Sequence, residues 1–224
     1  GLIPADALLL MASHTNRAHI FTEWIDPSVL DETNPSDRDR NLDLYDTERA
    51  PSPPFSEAFV NRFRAAQIAR NRKITEWVKQ RLAQIELNKP PPGQQLTGTK
   101  GWQRMQRDES FVVPCTMADV WRLDTKLDTN EREPHTLDAL ARENHAPVGL
   151  ARFCTLRSWL SQWSYDDARA DSVACMPRIT VPLFVLGNSA DHLVPPSHQR
   201  RAFEAAAHNS TREIHWVEGA THYY

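Results

Sequence analysis

Two residues near the end of the 224-residue sequence have types and positions that suit proton-transfer chemistry. Asp191 follows an apolar run at residues 179–186 after a short polar turn. His222 follows a second run, residues 212–217, after a turn that contains glycine. A carboxylate beside an imidazole fixes the tautomer of the ring and stabilises the imidazolium, so the ring can take a proton from a hydroxyl nucleophile. The pair therefore predicts a general base, His222, that is oriented by Asp191.

A strand–helix–strand unit is expected to bring these two residues together. Residues 179–186 and 212–217 predict buried strands, and Ser197, which follows a pair of prolines, is the predicted N-cap of a helix between them. Such a unit pairs its strands in parallel through a right-handed crossover. Asp191 and His222 then lie at the carboxyl ends of neighbouring strands, the edge at which open α/β sheets bind their ligands.

A third buried strand is predicted at residues 7–12, where a continuous apolar run enters a polar turn. Continuous apolar strands bounded by turns are typical of parallel sheets that are covered on both faces. His14, Asn16 and Arg17 lie in the turn and are expected at the same edge as Asp191, where they could contact a substrate. The alternative is that they are ordinary polar residues of a strand-to-loop turn.

These segments resemble the C-terminal part of an α/β-hydrolase fold enzyme. The resemblance is carried by VPLFVLGNSADHLVPP at residues 181–196 and by VEGATH at residues 217–222. In that family the penultimate core strand ends in a turn with the triad acid, often within D-x-x-V-P, and the last strand ends in a glycine-containing turn with the catalytic histidine. The resemblance thus makes Asp191 the triad acid and His222 the catalytic base. It implies an α/β fold, a partial doubly wound parallel sheet, with a large helical cap inserted after the first strand.

The sequence departs from the family at the nucleophile. The family's serine lies in a G-x-S-x-G turn, and no pair of glycines in this sequence brackets a serine or cysteine at that spacing. The expected position of the motif precedes Gly1, as does the loop that supplies part of the oxyanion hole. We therefore expect the nucleophile in a missing N-terminal half, or in a partner chain that completes the sheet, and no activity from this chain alone.

The resemblance also predicts how the chain divides into parts. Residues 1–16 and 165–224 carry the three predicted strands and are expected to form the hydrolase core. Residues 17–164 stand where family members insert a helical cap or lid.

Helices are predicted within the cap. Apolar residues recur at helical spacing over residues 55–87, which predicts one long helix. Its inward face is predicted to carry Phe59, Phe63, Ile74 and Trp77, and its wet face Arg64, Arg72 and Lys79. A second helix is predicted at residues 148–163, and the segment 89–101, rich in proline and glycine, predicts a loop.

The charge of the sequence argues against nucleic acid as a partner. Lys and Arg number 26 against 29 Asp and Glu, which gives a formal net charge of -3. Residues 55–107 are locally basic and could face an anionic substrate or nucleic acid, but the solvated face of a long helix explains them as well. No run of about 18 uncharged apolar residues occurs, so we expect no membrane-spanning segment.

Neither a metal site nor a cofactor is predicted. Five histidines cluster near the end of the sequence, but their spacings fit no compact ligand set: His192, His198, His208, His215 and His222. The three cysteines, Cys115, Cys154 and Cys175, are too few and too scattered for a disulfide framework, which favours a reducing, cytoplasmic location.

The predicted function is hydrolysis of a carboxylic ester, thioester, amide or related acyl bond of a small molecule by a Ser-His-Asp mechanism. Two alternatives come from other classes of protein. One is a non-catalytic binding or assembly module built on half of the fold. The other is a binder of anions or nucleic acid that uses the basic residues 55–107.

Overall fold

The chain forms two compact units in the computed structural model, which describes residues 5–88, 98, 108–127 and 134–223. The sheet unit comprises Gly1–Arg17, Val120–Thr136 and Ala170–Tyr224, and the helical unit comprises Ala18–Asp119 and Leu137–Arg169. The described residues 120–127 and 134–136 therefore fall in the sheet unit, although they lie inside the stretch predicted as an insertion. That the units are a hydrolase core and its cap stays a prediction.

Strands and helices are numbered along the chain. The strands are β1 (Leu8–Met11), β2 (Val29–Asp31), β3 (Asn34–Arg38), β4 (Ser110–Val112), β5 (Phe153–Thr155), β6 (Leu183–Asn188) and β7 (Arg212–Val217). The α-helices are α1 (Arg17–Trp24), α2 (Glu57–Leu87), α3 (Val120–Leu123), α4 (Leu137–His145), α5 (Leu156–Gln162), α6 (Ser172–Cys175) and α7 (Pro196–Ala205). The predicted loop at residues 89–101 lies outside the described residues apart from Gly98.

The sheet unit contains a parallel sheet with the strand order β1-β6-β7. Leu183 on the central strand pairs with Leu8 on one side and with Arg212 on the other. The α/β class and the three predicted parallel strands are thus confirmed. The central strand begins at Leu183 rather than at residue 179, because Pro182 has no N–H to donate to a strand ladder.

One face of this sheet is packed and the other is open in the described residues. Leu183 and Val185 pack with Ala202 of α7 into the core of the sheet unit. On the opposite face Leu9 is 54% exposed and Phe184 is 36% exposed. A parallel sheet normally has both faces covered, so this second face is the unusual one.

Helix α7 begins two residues earlier than the sequence predicted. Pro195 occupies the N-cap position and Pro196 is the first helical residue, without a side-chain cap. The prediction of Ser197 as N-cap is therefore wrong. Proline at the first helical position has a backbone angle already suited to the helix and lacks an N–H that would go unbonded there.

The long helix predicted in the helical unit is present as α2. Ser56 caps it by accepting a hydrogen bond from the Phe59 amide at 3.2 Å. Phe63 and Ile74 are buried as predicted, but Trp77 is 44% exposed, so its assignment to the inward face is wrong. The Trp77 ring instead lies at a surface groove of about 320 Å³ beside the Phe111 ring, 5.1 Å between centroids.

The helix predicted at residues 148–163 is wrong in its first half. Phe153–Thr155 form β5, which pairs antiparallel with β4, and α5 begins only at Leu156. The boundary is set by a capping box, in which the Thr155 hydroxyl accepts from the Ser158 amide and the Ser158 hydroxyl accepts from the Thr155 amide. These reciprocal bonds satisfy donors that a continuous helix would have used internally.

A buried ionic network joins several segments of the helical unit. Arg38 donates to Asp26 at 2.5 Å and to Asp43 at 2.6 Å. Arg70 of α2 is 4% exposed and pairs with Glu32 at 2.7 Å. Because a buried charge is tolerated only when it is paired and hydrogen-bonded, these pairs tie the hairpin β2–β3 to the rest of the unit.

Candidate active site

Asp191 lies in the loop that follows β6 in the sheet unit, and its carboxylate is held in place by backbone amides. One oxygen, Oδ1, accepts hydrogen bonds from the amides of Leu193 and Val194 at 2.9 and 2.8 Å. The side chain is 1% exposed. The backbone thus fixes one edge of a buried carboxylate and leaves Oδ2 for another partner.

That partner is His222, which follows β7. The distance from Asp191 Oδ2 to His222 Nδ1 is 2.9 Å, and the His222 side chain is 30% exposed. With Nδ1 donating to the carboxylate, the neutral ring carries its lone pair on Nε2. In the described part of the chain, the bond to Asp191 is the only hydrogen bond of this ring. The pair therefore has the arrangement of an oriented general base.

The two loops that carry the pair are fastened to each other. The Ser189 hydroxyl accepts from the Gly219 amide at 2.8 Å, and the Asn188 side-chain amide donates to the Thr221 carbonyl at 2.9 Å. Gly219 has a φ of 71°, a left-handed conformation that glycine adopts without strain. Sequence reasoning missed Asn188 and Ser189 as positioning residues, although both stand in the polar turn that ends the predicted strand.

A glycine allows β6 and β7 to pack closely just before the Asp191 loop. A Cβ atom at Gly187 would lie 2.3 Å from Cζ3 of the Trp216 ring, far inside van der Waals contact. The Trp216 ring is also covered by the Arg200 guanidinium, 5.1 Å from the ring centroid. The ring thus occupies the space that a larger residue at position 187 would need.

The three weaker candidates lie after β1, and two of them contact other side chains. His14 Nδ1 is 3.2 Å from Nδ1 of the buried His198. Asn16 donates to Asp171 Oδ2 at 3.0 Å, and Arg17 is the first, exposed residue of α1. No hydrogen bond between described residues joins these three side chains to Asp191 or His222, and their contact with a substrate stays a prediction.

The described residues form neither a metal site nor a membrane-spanning helix. The described part of the chain holds no group of three or more histidine, cysteine, aspartate or glutamate side chains that could hold a metal ion. None of the described helices is both long enough and apolar enough to cross a membrane.

Comparison with known proteins adds little information about function to the geometry of the Asp191–His222 pair. No protein-family model and no curated protein matches the chain. It is similar to a monoacylglycerol lipase from Paleococcus ferrophilus, with 22% identity, a TM-score of 0.28, and coverage of 77% of this chain and 46% of the lipase. It is also similar to BpoC from Mycobacterium tuberculosis H37Rv, assigned as a non-heme bromoperoxidase, with 15% identity, a TM-score of 0.27, and coverage of 97% and 50%.

The chain thus spans about half the length of each of these solved structures. TM-scores below 0.5 carry no weight for function or for a detailed fold assignment. The α/β class rests on the parallel register of β1, β6 and β7.

Proposed function

We propose that this chain supplies the acid and the base of a serine hydrolase of the α/β-hydrolase type, which cleaves a carboxylic ester, thioester or related acyl bond of a small molecule. The observation that carries the proposal is the 2.9 Å hydrogen bond between Asp191 and His222. The two residues follow neighbouring parallel strands, at the edge where α/β sheets bind ligands. In this proposal the sheet unit is the hydrolase core and the helical unit is its cap, in a cytoplasmic protein.

The proposed mechanism uses each atom of the pair for one task. His222 Nε2 takes the proton of a serine hydroxyl as the oxygen attacks the acyl carbon. Asp191 holds the ring in the required tautomer and stabilises the imidazolium. The imidazolium then gives its proton to the leaving group, and an acyl-enzyme remains. Water, activated by the same nitrogen, releases the acid, and no cofactor takes part.

The proposal places the serine and the oxyanion hole outside these 224 residues, because the sequence contains no G-x-S-x-G turn. The open face of the sheet supports the idea that a further polypeptide completes the sheet. This polypeptide is either an N-terminal half or a partner chain. Leu9, Met11, Phe184 and Val217 on that face are 36–54% exposed, more than is usual for a parallel sheet. The same face favours the second candidate function, a non-catalytic assembly module.

The deciding experiment measures acyl turnover of the whole protein, with whatever polypeptide is encoded upstream, on p-nitrophenyl esters of several acyl lengths. His222→Ala is expected to lower kcat by roughly 10⁴-fold or more, and Asp191→Asn by about 10³–10⁴-fold, with circular dichroism unchanged. His215→Ala is the matched control, because His215 lies on β7 with its side chain 60% exposed.

Equal turnover in His222→Ala and His215→Ala would contradict the proposal. A whole protein that binds a partner but turns over none of the esters would favour the assembly module. The bare 224-residue chain should not react with a fluorophosphonate probe. Stoichiometric labelling of it would show that the nucleophile lies within these residues.

A further inference from the structure

The helical unit contains a surface cavity of about 330 Å³ that the proposed hydrolysis does not use. Its wall combines charged, polar and thiol groups with two prolines: Ser36, Arg38, Cys115, Asn144, His145 and Arg152, with Pro35 and Pro114. The volume falls at the lower end of the range for small-molecule sites, about 300–1,000 Å³. The cavity is therefore large enough for a small organic molecule.

Arg152 in this wall is buried, and its hydrogen bonds are incomplete. The residue is 7% exposed. Its guanidinium donates to the Ala146 carbonyl, to the Thr116 hydroxyl at 3.1 Å and to the Asn144 carbonyl at 3.3 Å. Its Nε, which is shielded from solvent, has no hydrogen-bond partner among the described residues. Because a guanidinium has five N–H donors, Arg152 keeps donors that the described residues do not use.

Arg152 also has no carboxylate partner among the described residues, unlike the neighbouring Arg38 and Arg70. Arg38 is paired with Asp26, and Arg70 is paired with Glu32. Among the described residues no carboxylate lies within 4.0 Å of the Arg152 guanidinium. Burial lowers the pKa of Arg152, and the positive charge of Arg70 adds to that effect. A guanidinium nevertheless stays charged in proteins, and the groups that face this charge are carbonyls at the C-terminal end of α4 rather than a carboxylate.

The backbone around Arg152 is held in unusual conformations. Ala151 has a φ of 55° and Cys115 has a φ of 53°, a region that residues with a Cβ seldom adopt. At Gly149 a Cβ would lie 3.2 Å from Arg152 Nη2. Strained residues persist only where their surroundings fix them, and they are frequent at ligand sites. The backbone next to Arg152 is thus fixed by its surroundings.

We propose that this cavity binds a small molecule with one oxyanion group, a carboxylate or a phosphate, and that Arg152 supplies the counter-charge. A charge-assisted hydrogen bond from Arg152 to an oxyanion is stronger than a neutral one, which favours an oxyanion over an uncharged group at this position. Ser36, Asn144 and His145 provide polar groups for the rest of the molecule. The site is independent of the proposed hydrolysis and needs no nucleophile.

The test is binding of acetate and of inorganic phosphate to the full 224-residue chain, measured by calorimetry and by thermal unfolding, with sodium chloride to match the ionic strength. Saturable binding of at least one anion is expected. Arg152→Gln should weaken it at least tenfold. The matched control is Arg72→Gln, because Arg72 is an exposed arginine of the same unit, paired with Asp166, and it should change the affinity less than twofold. The anion that binds more tightly identifies the oxyanion class.

Two outcomes would overturn the proposal: no saturable binding of either anion by the wild-type chain, or equal affinity in Arg152→Gln and wild type. Should Arg152→Gln fail to fold, Ser36→Phe replaces it as the test. Ser36 is exposed at the cavity wall, so a phenyl ring there fills the cavity without touching the bonds that hold Arg152. Binding must then fall at least tenfold, and an unchanged affinity overturns the site.

Discussion

Replacing Arg38 with methionine should be among the most destabilising single changes in the helical unit. The Arg38 side chain is 13% exposed, and it bridges the carboxylates of Asp26 and Asp43. Methionine keeps most of the apolar stem but leaves both carboxylates without their cation. The Asp26 side chain is 1% exposed, so its charge is shielded from water and depends on its protein partners.

The expected loss of unfolding free energy depends on the hydrogen bonds that Asp26 keeps in the variant. Its carboxylate keeps three donors, the Ser28 amide at 3.0 Å, the Ser28 hydroxyl at 2.6 Å and the Asn144 side chain at 2.7 Å. Breaking a buried ion pair on one side costs about 3–5 kcal/mol. Since three neutral hydrogen bonds still support the anion, we expect the lower part of that range, about 3 kcal/mol.

The assay is urea denaturation followed by circular dichroism and tryptophan fluorescence. The matched control is Arg72→Met, because Arg72 pairs with Asp166 at 2.7 Å but the two side chains are 57% and 51% exposed. An exposed pair contributes little to stability because water screens its charges, and 1 M salt should weaken this contribution while leaving the Arg38 effect nearly intact.

A loss below about 1 kcal/mol for Arg38→Met, or losses within about 0.5 kcal/mol of each other for the two variants, would refute the reasoning. Arg38→Lys separates charge from geometry. Lysine restores one positive charge without the planar fork that serves two carboxylates, so its stability should lie between those of wild type and Arg38→Met.

The remaining predictions concern the sheet unit and the cysteines. Gly187→Ala should lower the free energy of unfolding by about 1–3 kcal/mol, because its Cβ meets the Trp216 ring, and Trp216→Leu in the same chain should recover most of the loss in urea denaturation. Wild-type stability in Gly187→Ala would contradict that contact. With Ellman's reagent at pH 8, Cys175 should react in the native chain, whereas Cys115 and Cys154 should react only on unfolding, because burial raises the pKa of both thiols, that of Cys154 to about 11. Three rapidly reacting thiols in the native protein would show that the two are not protected.

The sheet and the proximity of Asp191 to His222 could be predicted because they depend on short-range signals. Apolar runs of strand length ended by polar turns give the strands, and one helix between two strands makes them parallel neighbours. The carboxyl ends of such neighbours meet at one edge, so the two side chains had to be close. Their catalytic role stays a prediction.

The start of α5 and the exposure of Trp77 were missed for different reasons. Thr155 and Ser158 have the spacing of a capping box, but the apolar residues before Thr155 extended the helical periodicity and hid the signal. Trp77 lies at helical spacing with the other apolar residues of α2. That spacing does not show which apolar residues pack in the core and which line a surface groove, as Trp77 does.

The buried ionic network could not be read from the sequence at all. Arg70 sits among basic residues that read as a solvated helix face, yet it is buried against Glu32 and the Pro114 carbonyl. Asn144 reaches Asp26 across more than a hundred residues of sequence. Such pairings depend on tertiary contacts, which no local spacing encodes.

The strand order β1-β6-β7 affects the lifetime of the hydrogen bond between Asp191 and His222. In the described sheet β7, which precedes His222, pairs with β6 alone. In a parallel pair alternate amides of a strand bond to the neighbour, and those between them point outward. Deuterium uptake along Arg212–Val217 should therefore alternate residue by residue, with the protected amides reporting the opening of the β6–β7 ladder. The lifetime of that ladder sets an upper limit on how long the base stays aligned, and any strand added at the β7 edge would slow exchange at the outward amides.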